Sequence, residues 1–127
     1  MLKNAPLWAV VSVSDLAQAK KFYGETLGLE QMSEEMPGGL LFTCSDGTGL
    51  IVYEKPGTKP SNNTVAGWNV KDLEAEMTEL RAKGLTFEEY DIPEMGLKTE
   101  NGIATMEGSK SCWFKDADGN IFSINQM

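Results

Sequence analysis

The chain has 127 residues, of which 41% are hydrophobic and 24% charged, as expected of one ordinary globular domain. Nineteen acidic residues against 11 basic ones give a net charge of −8, and without a basic stripe we expect no nucleic-acid partner. Histidine is absent, which excludes a Ser-His-Asp triad and an imidazole base. No apolar run is long enough for a membrane span and no basic-then-apolar leader opens the chain, so we expect a cytoplasmic protein without membrane contact.

The first predicted unit covers residues 5–55 and begins with an apolar strand, Trp8–Val13. Asp15 follows, where its carboxylate would accept hydrogen bonds from the free N–H groups of a helix start. Apolar residues at helical spacing indicate a helix that ends near Gly28, where a left-handed cap favours glycine. Three strands are predicted next, the last two joined by the hairpin turn Ser45-Asp46-Gly47-Thr48: Leu29–Ser33, Gly39–Cys44 and Gly49–Tyr53.

The second predicted unit covers residues 64–127, after a Pro- and Gly-containing linker at 56–63. It repeats the first: the Asp72 region matches the Asp15 region at an offset of 57, and Gly84-Leu85 matches Gly28-Leu29 at an offset of 56. A one-residue slip therefore lies inside the helix or at its exit. Residues 91–110 are predicted to be irregular, and the elements predicted in this unit are strand Val65–Val70, a helix, and strands Thr86–Tyr90, Ile103–Met106, Ser111–Lys115 and Ile121–Asn125.

This order predicts an α+β fold made of two tandem βαβββ units within a single domain, 1–127. Each unit would form a curved sheet with its helix on the outside. Two such sheets facing each other would form a partly open, mixed-sheet barrel around a groove.

Three stretches carry a resemblance to a known family: VSDLAQAKKFYGETLGLE, VAGWNVKDLEAEMTELRAKG and WFKDADGNIFSINQ. They resemble the vicinal oxygen chelate superfamily, which includes glyoxalase I, extradiol dioxygenases, fosfomycin resistance proteins and bleomycin-binding proteins. The resemblance implies a homodimer. In the enzymatic branches it also implies a divalent metal held by four side chains, one from each of four inner strands.

The resemblance fails at those four ligand positions. Counting from the matched motifs puts them at Trp8, Ile51, Val65 and Ser123. Indole and alkyl groups cannot ligate a hard cation, and one neutral hydroxyl is a poor ligand. We therefore predict no metal and no cofactor.

Strand alternation predicts which side chains share the inner face with these four positions. Phe42 would lie opposite Ile51, and Trp113 opposite Ser123. Such a face has apolar walls and a few neutral polar groups, as a small-molecule pocket requires. The predicted ligand-binding residues are Trp8, Phe42, Ile51, Tyr53, Val65, Asn69, Trp113 and Ser123. No catalytic residue is predicted.

Three functions stay open at this point. The first is a non-enzymatic protein that binds a flat, apolar or aromatic compound. The second is a metal-free isomerase or lyase, with Glu54, Glu107 or Tyr53 as the base. The third is a structural or interaction role, in which the acidic surface meets a partner. A separate alternative for the groove itself is that the aromatic side chains simply fill it and leave no cavity.

Overall fold

The computed structural model describes residues 1–32 and 36–127 and separates the chain into two units, Met1–Pro60 and Ser61–Met127. The boundary falls inside the stretch 56–63 that the sequence marks as a linker. That the two units act as a single domain stays a prediction. In the described part of the chain, no helix is long and apolar enough to cross a membrane.

Unit 1 contains one four-stranded mixed sheet. Its strands are β1 (Trp8–Val13), β2 (Glu30–Gln31), β3 (Gly39–Thr43) and β4 (Gly49–Glu54), in the order β1-β4-β3-β2. β1 and β4 are parallel, and the other neighbours are antiparallel. Between β1 and β2 lies helix α1 (Leu16–Ala19), which continues as a π-helix (Lys20–Thr26). The predicted strand Leu29–Ser33 is shorter than expected, and its last residue lies outside the described residues.

The π-helix accounts for the one-residue slip between the two repeats. Its last turn closes with Leu27 N donating to Phe22 O over 2.9 Å, a bond across five residues instead of four. A π turn holds one residue more than an α turn. Unit 1 thus accommodates its extra residue between the helix start and Gly28, which has a φ of 72°, as Gly84 has a φ of 93° in unit 2.

Unit 2 repeats the topology of unit 1. Its elements are β5 (Thr64–Asn69), α2 (Leu73–Ala82), β6 (Asp91–Ile92), β7 (Leu97–Lys98), β8 (Ala104–Met106), β9 (Ser109–Lys115) and β10 (Ile121–Gln126). The four-stranded sheet has the order β5-β10-β9-β8, with β5 parallel to β10. The predicted α+β class with two tandem βαβββ units is therefore confirmed.

Two expectations for unit 2 are wrong. Thr86–Tyr90 is not a strand: it meets β9 through an isolated bridge between Phe87 and Phe114 and a bond from Glu88 N to Trp113 O. The stretch 91–110 is not simply irregular, since β6 and β7 form a small hairpin within it around a 3-10 turn at Pro93–Met95.

Both helices start as the sequence predicts. Asp15 accepts from Gln18 N and Asp72 accepts from Ala75 N, each over 3.1 Å. In each case a side-chain oxygen satisfies an N–H group that has no partner within the helix. The free N–H of Leu16 also donates to Glu54 Oε2 over 3.2 Å, so the end of β4 helps to cap α1.

The predicted pairing of Phe42 with Ile51 is wrong. Phe42 pairs with Leu50, and Leu41 pairs with Ile51. The loop between β3 and β4 comprises residues 44–48, and its central residue, Asp46, adopts a left-handed φ of 54°. The predicted pairing would instead place the centre of the loop at the bond between Asp46 and Gly47. Because strand side chains alternate, this shift of one position puts Phe42 on the opposite face of the sheet.

The core of each unit lies between its sheet and its helix. In unit 1, Phe42 is fully buried there, with its ring centroid 5.9 Å from that of Tyr23. In unit 2, Phe114 and Phe122 stack at 5.6 Å, and Trp68 lies 5.5 Å from Phe122. The helix-side assignment of Trp68 and Phe122 that alternation predicts agrees with these contacts.

The β9–β10 turn depends on one buried carboxylate. Asp116 Oδ1 accepts from Asp118 N at 3.0 Å and Asn120 N at 2.8 Å, and Oδ2 accepts from Asn120 Nδ2 at 2.8 Å. Replacing Asp116 by Asn keeps an acceptor for the backbone but can turn an amide N–H₂ towards that of Asn120. We expect a loss of about 1 kcal/mol in the free energy of unfolding, measured by urea denaturation. Asp118→Asn is the control, and an equal loss there would contradict this account of the turn.

Candidate functional site

The helix-distal face of unit 1 is the side of its sheet that points away from α1. It carries Trp8, Val10 and Ser12 from β1, which pair with Gly49, Ile51 and Tyr53 of β4. Three predicted ligand-binding residues, Trp8, Ile51 and Tyr53, therefore share this face. The face is accessible within the unit, since Val10 is 57% exposed and Trp8, Ile51 and Tyr53 are half-buried.

Trp8 has a fixed orientation on this face. Its Nε1 donates to Gly47 O over 3.1 Å. Its six-membered ring lies over Gly49, where an added Cβ would be 2.6 Å from Cζ3. The polar end of the indole is thus satisfied by the backbone, and the glycine provides the space for the ring.

Phe42 does not belong to this face, and Leu41 takes its place. Leu41 is half-buried beside Ile51. The sequence is also compatible with Leu41 on this face, because β3 would present an apolar residue there whichever of its two alternating sets of side chains pointed to it. Only the centre of the hairpin loop could decide between the two.

The helix-distal face of unit 2 contains the remaining predicted residues. Ser123 pairs with Trp113, as predicted, and with Gly67 on its other side. Asn125 pairs with Asn69, which is exposed. Val65 lies beside a register shift between β5 and β10 and is 39% exposed.

A short chain of polar side chains crosses this second face. Ser111 Oγ donates to Asn125 Oδ1 over 2.8 Å, and Asn125 Nδ2 donates to Ser123 Oγ over 3.1 Å. A Cβ on Gly67 would be 3.0 Å from Asn125 Nδ2, so the absence of a side chain there makes room for the chain. The network fixes the amide orientation, and it leaves acceptor capacity on the oxygens.

Trp113 has an aromatic neighbour that the sequence did not indicate. Tyr90 meets it edge to face, with ring centroids 5.5 Å apart. Burial, followed by the charge of Glu88, raises the pKa of Tyr90 above its ordinary value. The phenol therefore stays neutral and can act as a hydrogen-bond donor at neutral pH.

Of the three groups considered as bases, Tyr53 lies on the helix-distal face of unit 1. Glu54 caps α1, and Glu107 lies in an exposed turn at a φ of 42°. Glu89 accepts from Thr99 Oγ1 and from Gly102 N, and these two hydrogen bonds, first that of Thr99 and then that of Gly102, lower its pKa. Burial raises the pKa of Cys112 to about 11, so its thiol is protonated and a weak nucleophile at neutral pH.

The four family ligand positions do not fit a divalent cation. The Trp8 nitrogen donates to a backbone carbonyl, Ile51 and Val65 offer only carbon, and the Ser123 hydroxyl already accepts from Asn125. Hard cations require several oxygen ligands, usually with carboxylates among them. Across residues 1–32 and 36–127, no three acidic or cysteine side chains are grouped so that they could hold a metal ion.

Cavities formed by described residues also lie elsewhere in the units. One of about 280 Å³ is formed in unit 1 by residues of α1, the π-helix and Gln31. Another, of about 610 Å³, is formed in unit 2 between α2 and the segment around Asn101. None of the predicted ligand-binding residues lines either of them.

A family model, described as the Glyoxalase/Bleomycin resistance protein/Dioxygenase superfamily, matches residues 6–124. The chain therefore belongs to this superfamily, as the motifs predicted. No curated protein matches its sequence significantly.

The same fold occurs in solved structures of proteins from several branches. A glyoxalase/dioxygenase from Nostoc punctiforme is 16% identical, with a TM-score of 0.69 over 98% of this chain and 91% of that one. TnmS3, an antibiotic binding protein from Streptomyces sp. CB03234, is 22% identical, with a TM-score of 0.71 over 99% and 98%. The fosfomycin resistance protein FosX from Listeria monocytogenes is 14% identical, with a TM-score of 0.70 over 98% and 93%. At these identities the likeness concerns the fold.

Proposed function

We propose that this protein binds a small, largely apolar or aromatic molecule, without a metal ion, on the helix-distal faces of its sheets. The observation that carries the proposal is the indole of Trp8. It stands where the family's first metal ligand is expected, and its bond to Gly47 O and its contact with Gly49 hold it in one orientation. A rigid aromatic surface of this kind favours stacking with a flat ligand.

The helix-distal face of unit 2 offers both an aromatic surface and polar groups to such a ligand. Trp113 offers another half-buried indole, and the Ser111–Asn125–Ser123 chain offers oriented hydrogen-bonding groups beside it. An apolar surface with a few fixed polar groups is the usual composition of a small-molecule site. That TnmS3 is an antibiotic binding protein of the same fold supports a binding role for this chain as well.

The test is a thermal-shift screen of the purified protein against a library of flat aromatic compounds, including antibiotics. A ligand present at 100 times its Kd is expected to stabilise the fold by about 2.7 kcal/mol. We expect Trp8→Ala to weaken a ligand bound on the face of unit 1 at least ten-fold, and Trp113→Ala to weaken a ligand bound on the face of unit 2 to the same degree, because aromatic contacts dominate such sites. Met95→Ala, which removes a 69% exposed apolar side chain from the β6–β7 hairpin, is the control.

Two results would oppose the proposal. One is a library in which no compound raises the melting temperature. The other is elemental analysis that finds one tightly bound transition ion per chain together with ligand binding that is abolished by chelation.

We also propose, from the family resemblance, that the protein is a cytoplasmic homodimer. Light scattering after size-exclusion chromatography should then give twice the chain mass, and a monomer at micromolar concentration would contradict the expectation.

A further inference from the structure

A second cavity, separate from the helix-distal faces, lies in unit 2. It has a volume of about 610 Å³ and opens between α2, the segment 98–103 and the adjoining ends of β8 and β9. Two of its residues lie in the sheet, where Thr105 pairs with Lys110. Their neighbours Ala104 and Ser111 also pair, and Ser111 lies on the helix-distal face, so Thr105 and Lys110 point to the helix side. Its lining is Glu74, Met77, Thr78, Arg81, Lys98, Glu100, Asn101, Ile103, Thr105 and Lys110.

Cations are concentrated in this cleft of an acidic chain. Three of the 11 basic residues, Arg81, Lys98 and Lys110, line it together with two carboxylates, and the charge of Arg81 also contributes to lowering the pKa of the neighbouring Glu89. One carboxylate, Glu74, is 3.8 Å from Lys110 Nζ, and the two side chains are 66% and 37% exposed. An exposed pair at this distance is weak, so Lys110 can turn to an anion at little cost.

Arg81 is held in place for such a contact. Its Nη2 donates to Asn101 O over 2.8 Å, and its guanidinium carbon lies 5.2 Å from the centroid of the Phe87 ring. A guanidinium has five N–H donors in a rigid fork. The two contacts fix the plane of the group and use only part of its donors, which reduces the entropy lost when an anion binds.

The opposite wall of the cleft is also ordered. Glu89 accepts from Gly102 N over 2.9 Å and from Thr99 Oγ1, and both residues belong to the segment that carries Lys98 and Asn101. The carboxylate of Glu89 is thus occupied by the chain itself. The cleft also has an apolar part, the half-buried side chain of Ile103.

We propose that this cleft binds a small organic oxyanion, a phosphate monoester or a carboxylate, that bears an apolar group. The cations recognise the oxyanion, and Ile103 contacts the apolar group. The cavity volume lies within the range of about 300–1,000 Å³ that is typical of small-molecule sites. The site is independent of the function proposed above, because it shares no residue with the helix-distal faces.

The experiment is a titration of the full chain with phenyl phosphate, benzoate and inorganic phosphate, followed by amide chemical shifts and by calorimetry. We expect phenyl phosphate or benzoate to bind more tightly than inorganic phosphate and to shift the amides of Thr78 and Asn101. The preference between phenyl phosphate and benzoate identifies the oxyanion, and either result supports the proposal.

Three variants test the cations. Lys98→Gln and Lys110→Gln are each expected to weaken binding about two- to five-fold. Lys59→Gln removes the same charge from an exposed position in the linker and should have no effect. Lys98 is exposed, and Lys110 is half-buried with its ammonium group near the exposed Glu74, so a glutamine at either position should leave the fold intact.

Three outcomes would overturn the proposal. The first is the absence of amide shifts in the cleft. The second is an equal loss of affinity in Lys59→Gln, which would mean that only net charge matters. The third is inorganic phosphate binding as tightly as phenyl phosphate, which would remove the role of Ile103.

Discussion

Replacing Phe42 by alanine is expected to lower the free energy of unfolding by about 3–5 kcal/mol while ligand binding by the folded protein stays unchanged. Phe42 is fully buried, and its ring lies 5.9 Å from that of Tyr23 on the helix side of the sheet. A truncation there leaves a cavity that the surrounding side chains cannot fill. Urea denaturation followed by circular dichroism measures the loss.

Leu41→Ala is the matched variant, because Leu41 is the next residue in β3 and lies on the other face beside Ile51. It is half-buried, and we expect a smaller loss of about 1 kcal/mol together with weaker binding of the best ligand from the screen. Phe42→Leu provides a folded protein for the binding measurement should the alanine variant unfold. Weaker ligand binding in Phe42→Leu with normal binding in Leu41→Ala would contradict the face assignment.

Most of the fold could be predicted because both repeats obey the same local rules. The capping aspartates, the glycines after the helices and the alternation of the long strands all gave correct elements. The pairing of Trp113 with Ser123 was also predicted correctly, since the β9–β10 turn is centred where its residues suggest. Local chemistry sufficed wherever one turn type was clearly preferred.

The incorrect predictions concern turns that could contain one residue more or one residue fewer without any conflict with the local sequence. In the β3–β4 loop, Asp46 and Gly47 both have a positive φ, and Asp-Gly is equally suitable for a two-residue turn and for part of a five-residue loop. The choice between them decides which side chains of β3 point to which face of the sheet. The two-residue turn was assumed, and Phe42 was therefore assigned to the wrong face. The π-helix is a similar case, since the repeat offset showed an extra residue but not how the backbone would accommodate it.

The candidate site was predicted less completely than the fold. Trp8, Ile51 and Tyr53 do share one face, and Trp113, Ser123 and Asn69 share another. Tyr90 was missed because it lies in a segment that was predicted to be a strand but contacts β9 mainly through one bridge and its side chains. Such contacts depend on tertiary packing, which local periodicity does not encode.

Gly49→Ala is expected to disturb the Trp8 side of the site and to destabilise the fold by about 1–3 kcal/mol. An added Cβ would lie 2.6 Å from Phe42 O and 2.6 Å from Trp8 Cζ3. The carbonyl belongs to a paired strand and cannot move far, so the indole must leave its position and lose its bond to Gly47 O. We therefore expect faster solvent exchange of the Trp8 indole N–H and a weaker complex with the best ligand of the screen.

Gly24→Ala is the control for this substitution, because the nearest atom to its new Cβ is Phe42 Cε1 at an ordinary 3.8 Å. We expect its stability to change by no more than about 0.5 kcal/mol and its ligand affinity to be retained. The comparison separates the effect of a methyl group from the effect of its position. An indole signal that is identical in Gly49→Ala and in the parent chain would mean that Trp8 does not lie over Gly49, and the ordered aromatic surface on which ligand binding depends would then be absent.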